Sequence, residues 1–216
     1  MQLTDADIER LYAYPTTERP WVRTNFVATI DGAAYAEDGR SGSLGGEIDT
    51  RVFHVLRSLA DVVVVGAGTA RTEGYGPADR PIAVVSRSLD IPEQLVVPGQ
   101  VVITTADAPP AELERLRGTV DVIAVGQGHV DWTAVLDEFA NRGWRHVMCE
   151  GGPSLHGELI GLDLVDEVCL TIAPVLAAGE APRIAHDPRA EGRPMTLGHA
   201  VDVDGVLLTR WVRDRA

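Results

Sequence analysis

Asp61-Val62-Val63-Val64-Val65-Gly66-Ala67-Gly68-Thr69 is an unbroken apolar run that ends on two spaced glycines and a threonine. Consecutive β-branched residues of this length fit a strand buried on both faces, as in a parallel sheet. Glycines directly behind such a strand let backbone approach a phosphate closely. A helix beginning there turns its free N–H groups to the same place. The spacing is not the full Rossmann fingerprint, because Arg71 holds the position of its last glycine. A plain tight turn is the simpler alternative.

The same alternation extends in both directions. Toward the N-terminus, apolar residues at Val52, Phe53, Leu56 and Leu59 give helical spacing over Asp49–Ala60. The glycine- and serine-rich residues 37–46 form a loop, and Trp21–Ile30 reads as a strand ending at Asp31-Gly32. Toward the C-terminus, strands at Ile82–Ser86, Val101–Thr104, Val120–Val125 and Arg145–Cys149 alternate with helices at Pro110–Arg117, Trp132–Asn141 and a segment ending near Gly161. Val165–Pro174 is a further strand. Thr196–Val203 and Val206–Val212 form a hairpin around Asp204-Gly205. The pattern predicts one α/β domain, a mostly parallel mixed sheet flanked by helices, over residues 21–216. Residues 1–20 form an N-terminal helical arm.

Composition narrows the chemistry. A 216-residue chain that is 45% hydrophobic buries an ordinary core. Its formal net charge of −13 disfavours nucleic acid and anionic membrane surfaces. No lysine occurs, so Schiff-base and Walker-type chemistry is excluded, and any ligand phosphate must meet arginine, hydroxyls or backbone N–H. Cys149 and Cys169 lie in apolar strands and are expected as reduced thiols. No histidine or cysteine spacing suggests a metal site. Without a signal or a membrane-length apolar run, the expectation is a cytoplasmic protein.

Ligands of open α/β sheets sit beyond the carboxyl ends of the strands. Four such ends carry chemistry: Thr29-Ile30-Asp31, Gly66-Ala67-Gly68-Thr69, Ser86-Arg87-Ser88 and Glu150-Gly151-Gly152-Pro153-Ser154. Two glycine-bearing strand–helix junctions favour a dinucleotide. Ser86 and Arg87 suit a ribose 2′-phosphate, hence NADPH. Asp31 and Glu150 are candidate proton sources, and each has a plain loop acid as its alternative. Arg57 and Arg80 are candidate clamps for an anionic substrate, although lone arginines are mostly surface residues.

These segments, with Gly39-Arg-Ser-Gly42, Val52-Phe-His-Val-Leu-Arg57 and the Val165-Asp-Glu…Ala173-Pro-Val-Leu176 strand, resemble in order the pyrimidine reductases of riboflavin biosynthesis, whose fold is like dihydrofolate reductase. The resemblance implies a cofactor site of Thr29, Gly46, Gly66, Gly68, Thr69, Glu73, Ser86, Arg87, Gly151, Gly152, Pro153, Ser154 and Leu155. It places Asp31, Asn25, Arg57, Pro77, Arg80 and Glu150 toward the substrate. It implies hydride transfer from NADPH to a small phosphoribosylamino-pyrimidine, and a homodimer. Asn25 stands where the family has lysine, Glu73 where it has aspartate, and the small residues 42–46 replace an aromatic or hydroxyl-rich stretch. A dihydrofolate or pterin reductase on the same fold, and a non-catalytic NADP-binding protein, remain as alternatives.

Overall fold

The computed structural model describes residues 3–189 and 192–214. The outer ends of the predicted arm and domain, residues 1–2 and 215–216, lie outside them. A nine-stranded sheet runs in the order β5-β4-β3-β2-β6-β1-β7-β9-β8. Its strands are β1 Trp21–Thr29, β2 Val62–Gly66, β3 Ile82–Val85, β4 Val101–Thr104, β5 Asp121–Ala124, β6 His146–Cys149, β7 Glu167–Ala173, β8 Met195–Val203 and β9 Val206–Arg213. Pairing from β5 through β7 is parallel, and β9 and β8 close the sheet antiparallel. The four chemistry-bearing strand ends belong to the parallel strands β1, β2, β3 and β6, so one sheet edge gathers all of them.

Two layers of helix cover the sheet because β2, β3 and β4 are apolar on both faces. Val62 and Val64 of β2 pack with Trp132, Val135 and Phe139 of α5 (Trp132–Asn141) and Leu155 and Leu159 of α6 (Pro153–Gly161). Val63 and Val65 pack on the other face with Ala67 and Ala70 of α3 (Ala67–Glu73) and Leu113 and Leu116 of α4 (Pro110–Arg117). Fully burying one such side chain contributes about 1.5–3 kcal/mol.

Beside them, α1 (Asp5–Leu11) and α2 (Gly46–Leu59) cover β6, β7 and β9 through Ile8, Val52, Val55, Leu56, Met148, Cys169 and Leu208. The N-terminal arm is therefore part of the same packed body. Thr4 caps α1, its side chain accepting from Asp7 N–H while the Asp7 carboxylate takes the Thr4 N–H. Beneath the arm, fully buried Arg23 donates to Glu167 at 2.7 Å and to the Tyr12 carbonyl at 2.6 Å, and Arg210 adds a second cation to Glu167.

Helix α2 begins three residues before the predicted start at Asp49, because Gly46 enters it with φ +66°, which periodicity does not register. Cys149 and Cys169 are free thiols, and burial pushes Cys149 up to about 12. No helix among the described residues is long and apolar enough to cross a membrane.

Candidate active site

The edge of the sheet opens into two adjoining cavities. The first, of about 640 Å³, runs over the ends of β2, β3 and β6. Gly66, Gly68, Thr69, Ser86, Arg87, Gly152, Pro153, Ser154 and Leu155 line it. The second, of about 460 Å³, lies between β1, α2 and the loop after α3. Asn25, Asp49, Phe53, Arg57, Tyr75, Pro77 and Glu150 line it. Tyr35, Thr69, Glu73, Gly152 and Pro153 line both, so this is where the two meet.

Backbone closeness explains the glycines. The Gly66 N–H donates to the Gly151 carbonyl at 2.6 Å, and the Glu150 N–H donates to the Val64 carbonyl at 2.9 Å. These bonds zip the turn after β6 onto β2. A Cβ at Gly151 would lie 2.8 Å from the Phe26 ring, and one at Gly152 would lie 2.5 Å from Thr69 Oγ1. Neither place has room for a side chain. Below the turn, His156 of α6 stacks on Phe26 with ring centroids 4.4 Å apart. Burial lowers the His156 imidazole to about 4, so it is neutral at physiological pH.

In the smaller cavity Arg57 and Glu150 form a closed pair. Arg57 Nε and Nη2 donate to the two Glu150 oxygens at 2.7 and 2.6 Å, and the Tyr75 hydroxyl donates to Glu150 at 2.5 Å. The Arg57 guanidinium also lies 4.3 Å over the Phe53 ring and 4.9 Å over that of Tyr75. Burial acts to lower the Arg57 pKa, but the Glu150 carboxylate outweighs it and holds Arg57 above its ordinary range. Burial first, then Glu150, raises the Tyr75 phenol well above 10. Glu150 thus reaches the cavity as a carboxylate already filled by two partners.

Asp31 differs from the sequence expectation. It is exposed and lines neither cavity. Its carboxylate accepts from the Thr29 hydroxyl and from the Ala177 and Ala178 N–H groups, which holds it near 2. With its carboxylate committed to one hydroxyl and two backbone N–H groups, Asp31 anchors the loop after β1 to residues 177 and 178.

Thr29, Gly46 and Arg80 also lie away from the cavity linings. Thr29 serves the Asp31 turn, Gly46 starts α2, and Arg80 donates to the Ser58 carbonyl at 2.7 Å. Glu73 accepts from the Ser41 N–H and hydroxyl, both at 2.9 Å, and so ties the small-residue loop to α3.

Tyr35, Asp49, Phe53 and Tyr75 were not singled out from the sequence. A signal for two of them existed, because helical spacing puts Asp49 and Phe53 on the face of α2 that carries Arg57. Burial raises the Asp49 carboxyl above its ordinary range, with the Thr171 hydroxyl acting against it.

This arrangement, a parallel sheet whose strand ends hold a glycine-walled groove beside a small pocket, defines an α/β reductase fold of the dihydrofolate-reductase-like class. Dihydrofolate reductase from Enterococcus faecalis superposes over 90% of the chain and 96% of its own length with a TM-score of 0.52 at 13% identity. A pyrimidine reductase-like protein from Corynebacterium diphtheriae superposes over 99% and 100% with a TM-score of 0.82 at 24% identity.

The chain belongs to the RibD C-terminal domain family, whose model matches residues 20–206, and it is an oxidoreductase of the riboflavin-biosynthesis type. The 2,5-diamino-6-ribosylamino-4(3H)-pyrimidinone 5′-phosphate reductase of Methanothermobacter thermautotrophicus is 31% identical over 183 residues, covering 78% of this chain and 84% of that one.

Proposed function

We propose that this chain uses NADPH to reduce the ribosylamino group of a phosphoribosylamino-pyrimidine to the ribitylamino form. The observation that carries the reading is the junction of the two cavities at Thr69, Gly152 and Pro153, with Tyr35 and Glu73 shared between them. A dinucleotide in the larger cavity and a pyrimidine in the smaller one meet there and nowhere else.

The residues fit the cofactor. Gly68 faces open space where a Cβ would point into the larger cavity, the N-terminus of α6 has no side-chain cap, and Gly66 and Gly68 admit a pyrophosphate. Arg87 is exposed at the end of β3 beside Ser86 and Ser88, suited to a 2′-phosphate. The cofactor supplies a hydride. The chain orients both ligands. Phe26 and His156 stiffen the floor under Gly151, and the Arg57–Glu150–Tyr75 cluster fixes the pocket wall.

Among the described residues Arg57 is the one arginine lining the smaller cavity and is committed to Glu150, and Asn25 brings no cation. The substrate's phosphate therefore stays at the rim while its ring goes inward. The half-exposed face of Leu170, Ile172, Leu207 and Trp211 on β7 and β9 supports a homodimer, since these side chains join none of the three cores.

The test is NADPH oxidation with the phosphoribosylamino-pyrimidine and with dihydrofolate in parallel. Turnover of the pyrimidine alone is expected. Turnover of dihydrofolate alone would replace this reading by pterin reduction.

A further inference from the structure

A phenol stands where the two cavities meet. Tyr35 lines both of them, with Thr69, Glu73, Gly152 and Pro153. A Cβ at Gly152 would stand 2.5 Å from Thr69 Oγ1 and 3.3 Å from the Tyr35 hydroxyl oxygen, so both hydroxyls lie over that glycine. The backbone on either side of Tyr35 is tied down. The Ala34 N–H donates to the Pro182 carbonyl at 2.9 Å, and the Ala36 N–H donates to the Arg40 carbonyl at 2.8 Å. Ala33 and Ala34 are buried, so packed chain holds the phenol over the junction.

Reduction of a ribosylamino group needs a proton at that place. A hydride can add to C1′ only once the C1′–O4′ bond has opened and a C1′=N bond has formed. The electron pair of the broken bond goes to O4′, and an alkoxide leaving at neutral pH is costly unless an acid protonates it. With the dinucleotide in the larger cavity and the pyrimidine in the smaller one, C1′ and its neighbour O4′ lie at the junction. The other described residues that line both cavities are poor donors. Glu73 turns its carboxylate to Ser41, accepting from the N–H and the hydroxyl. Gly152 and Pro153 have no acidic side chain, and the alcohol of Thr69 is a much weaker acid than a phenol. Glu150 is filled by Arg57 and Tyr75, and Asp31 lines neither cavity. That leaves Tyr35.

We propose that Tyr35 is the proton donor of the reaction, giving its hydroxyl proton to O4′ as the ribose ring opens. This rests on the ribosylamino-pyrimidine reading and assigns the proton that the reading needs. The C1′–O4′ bond breaks toward oxygen, O4′ takes the Tyr35 proton, and the lone pair of the exocyclic nitrogen closes the C1′=N bond. C1′ then takes the hydride, and the second electron pair of that bond returns to nitrogen as an amine. Water restores the phenol through the exposed part of Tyr35. Each product thus consumes one hydride from NADPH and one proton from solvent. Burial raises the Tyr35 phenol above its ordinary range, the Glu73 carboxylate adds to this, and a hydrogen bond with the Thr69 hydroxyl acts against them. The phenol therefore keeps its proton at neutral pH until O4′ draws it, and Thr69 steadies the phenolate that remains.

The experiment separates ring opening from reduction. Opening and reclosure interconvert the two anomers at C1′. Exchange NMR of the phosphoribosylamino-pyrimidine, with NADP⁺ in place of NADPH, therefore reads the proton step without any reduction. The wild type should speed the exchange by on the order of 10²-fold over free substrate, and Tyr35→Phe should lose that acceleration. In turnover with NADPH, Tyr35→Phe should lower kcat by about 10²–10³-fold and leave KM and NADPH affinity little changed. The variant removes one oxygen from a half-buried side chain, so its urea midpoint should stay at the wild-type value.

A wild type that binds and reduces the pyrimidine but does not speed anomer exchange overturns the proposal, whatever the variant does. So does a Tyr35→Phe variant that keeps both rates. A variant that loses kcat but keeps exchange also overturns it, since the phenol would then serve the hydride step. Each of these leaves the parent reading standing and removes only the role of Tyr35. A wild type that neither binds nor reduces the pyrimidine overturns the parent reading and this one together.

Discussion

At the scale of single residues the pocket wall depends on one buried charge pair. Glu150 has a 2% exposed side chain and Arg57 a 20% exposed one. Glu150→Gln would leave the guanidinium facing a neutral amide beside Tyr75. Breaking such a pair costs about 3–5 kcal/mol when fully buried, and the exposure of Arg57 brings the expected loss to roughly 2–3 kcal/mol by urea unfolding. Activity should fall because the wall loosens. The pH–rate profile should keep its shape, since Glu150 is placed to hold Arg57 and Tyr75 rather than to relay a proton. A vanished limb of that profile in Glu150→Gln would make it a proton relay after all. Arg87 tests the cofactor choice separately. Arg87→Ala should weaken NADPH by about 10–100-fold, the equivalent of one or two charge-assisted hydrogen bonds, and leave NADH affinity unchanged. Equal loss for both nucleotides would remove the 2′-phosphate from that corner.

At the scale of elements, α6 joins cofactor binding to stability through His156. The ring is buried, stacked on Phe26, and its Nδ1 meets the Ile184 carbonyl at 2.9 Å. Folding lowers its pKa from 6.5 to about 4. The unfolded chain binds the extra proton between those values, so stability is full above pH 6.5 and is lost as pH falls through 4. The loss is on the order of 3 kcal/mol, converted from that shift. His156→Leu should flatten the denaturation midpoint between pH 6.5 and 4, leaving a smaller slope from His199, whose pKa burial also lowers. An unchanged slope would mean the ring is hydrated in solution. The same elements show what the sequence could convey. Runs such as Val62–Val65 and the 3.6 period of α2 announce strands and helices because burial acts along one element. Gly66, Gly152 and Arg87 were legible for the same reason, as they follow directly from strand ends. Tyr35 and Tyr75 were not, because loops carry them and only the docking of those loops decides where they point. Asp31 was ambiguous because Asp-Gly reads equally as a turn and as a site, and the backbone partners that hold it as a turn come from residues 177 and 178, distant in sequence.

At the scale of the molecule the open question is what covers the outer face of β7, β9 and β8. The registers bring Val168, Trp211 and Leu197 into one row, and Ile172 meets Leu207 four pairs further along. Leu197 is 47% exposed. An antiparallel edge with apolar side chains on one face is a site of association unless something covers it. A second copy fits by symmetry, since a two-fold interface sets the same patch against itself. Each protomer carries a formal charge of −13, so the dimer should tighten as salt screens their repulsion. Sedimentation should give twice the mass of the chain. A Leu197→Glu, Trp211→Glu variant should sediment as a monomer, because its new charges meet their own copies across the axis. Neither residue lines a cavity, so NADPH binding should survive in that monomer. A wild type that stays monomeric at all concentrations would leave this face to a different partner. A monomeric variant that has also lost NADPH would mean that association shapes the groove from a distance, through β1 and β7, which share the sheet's longest parallel ladder.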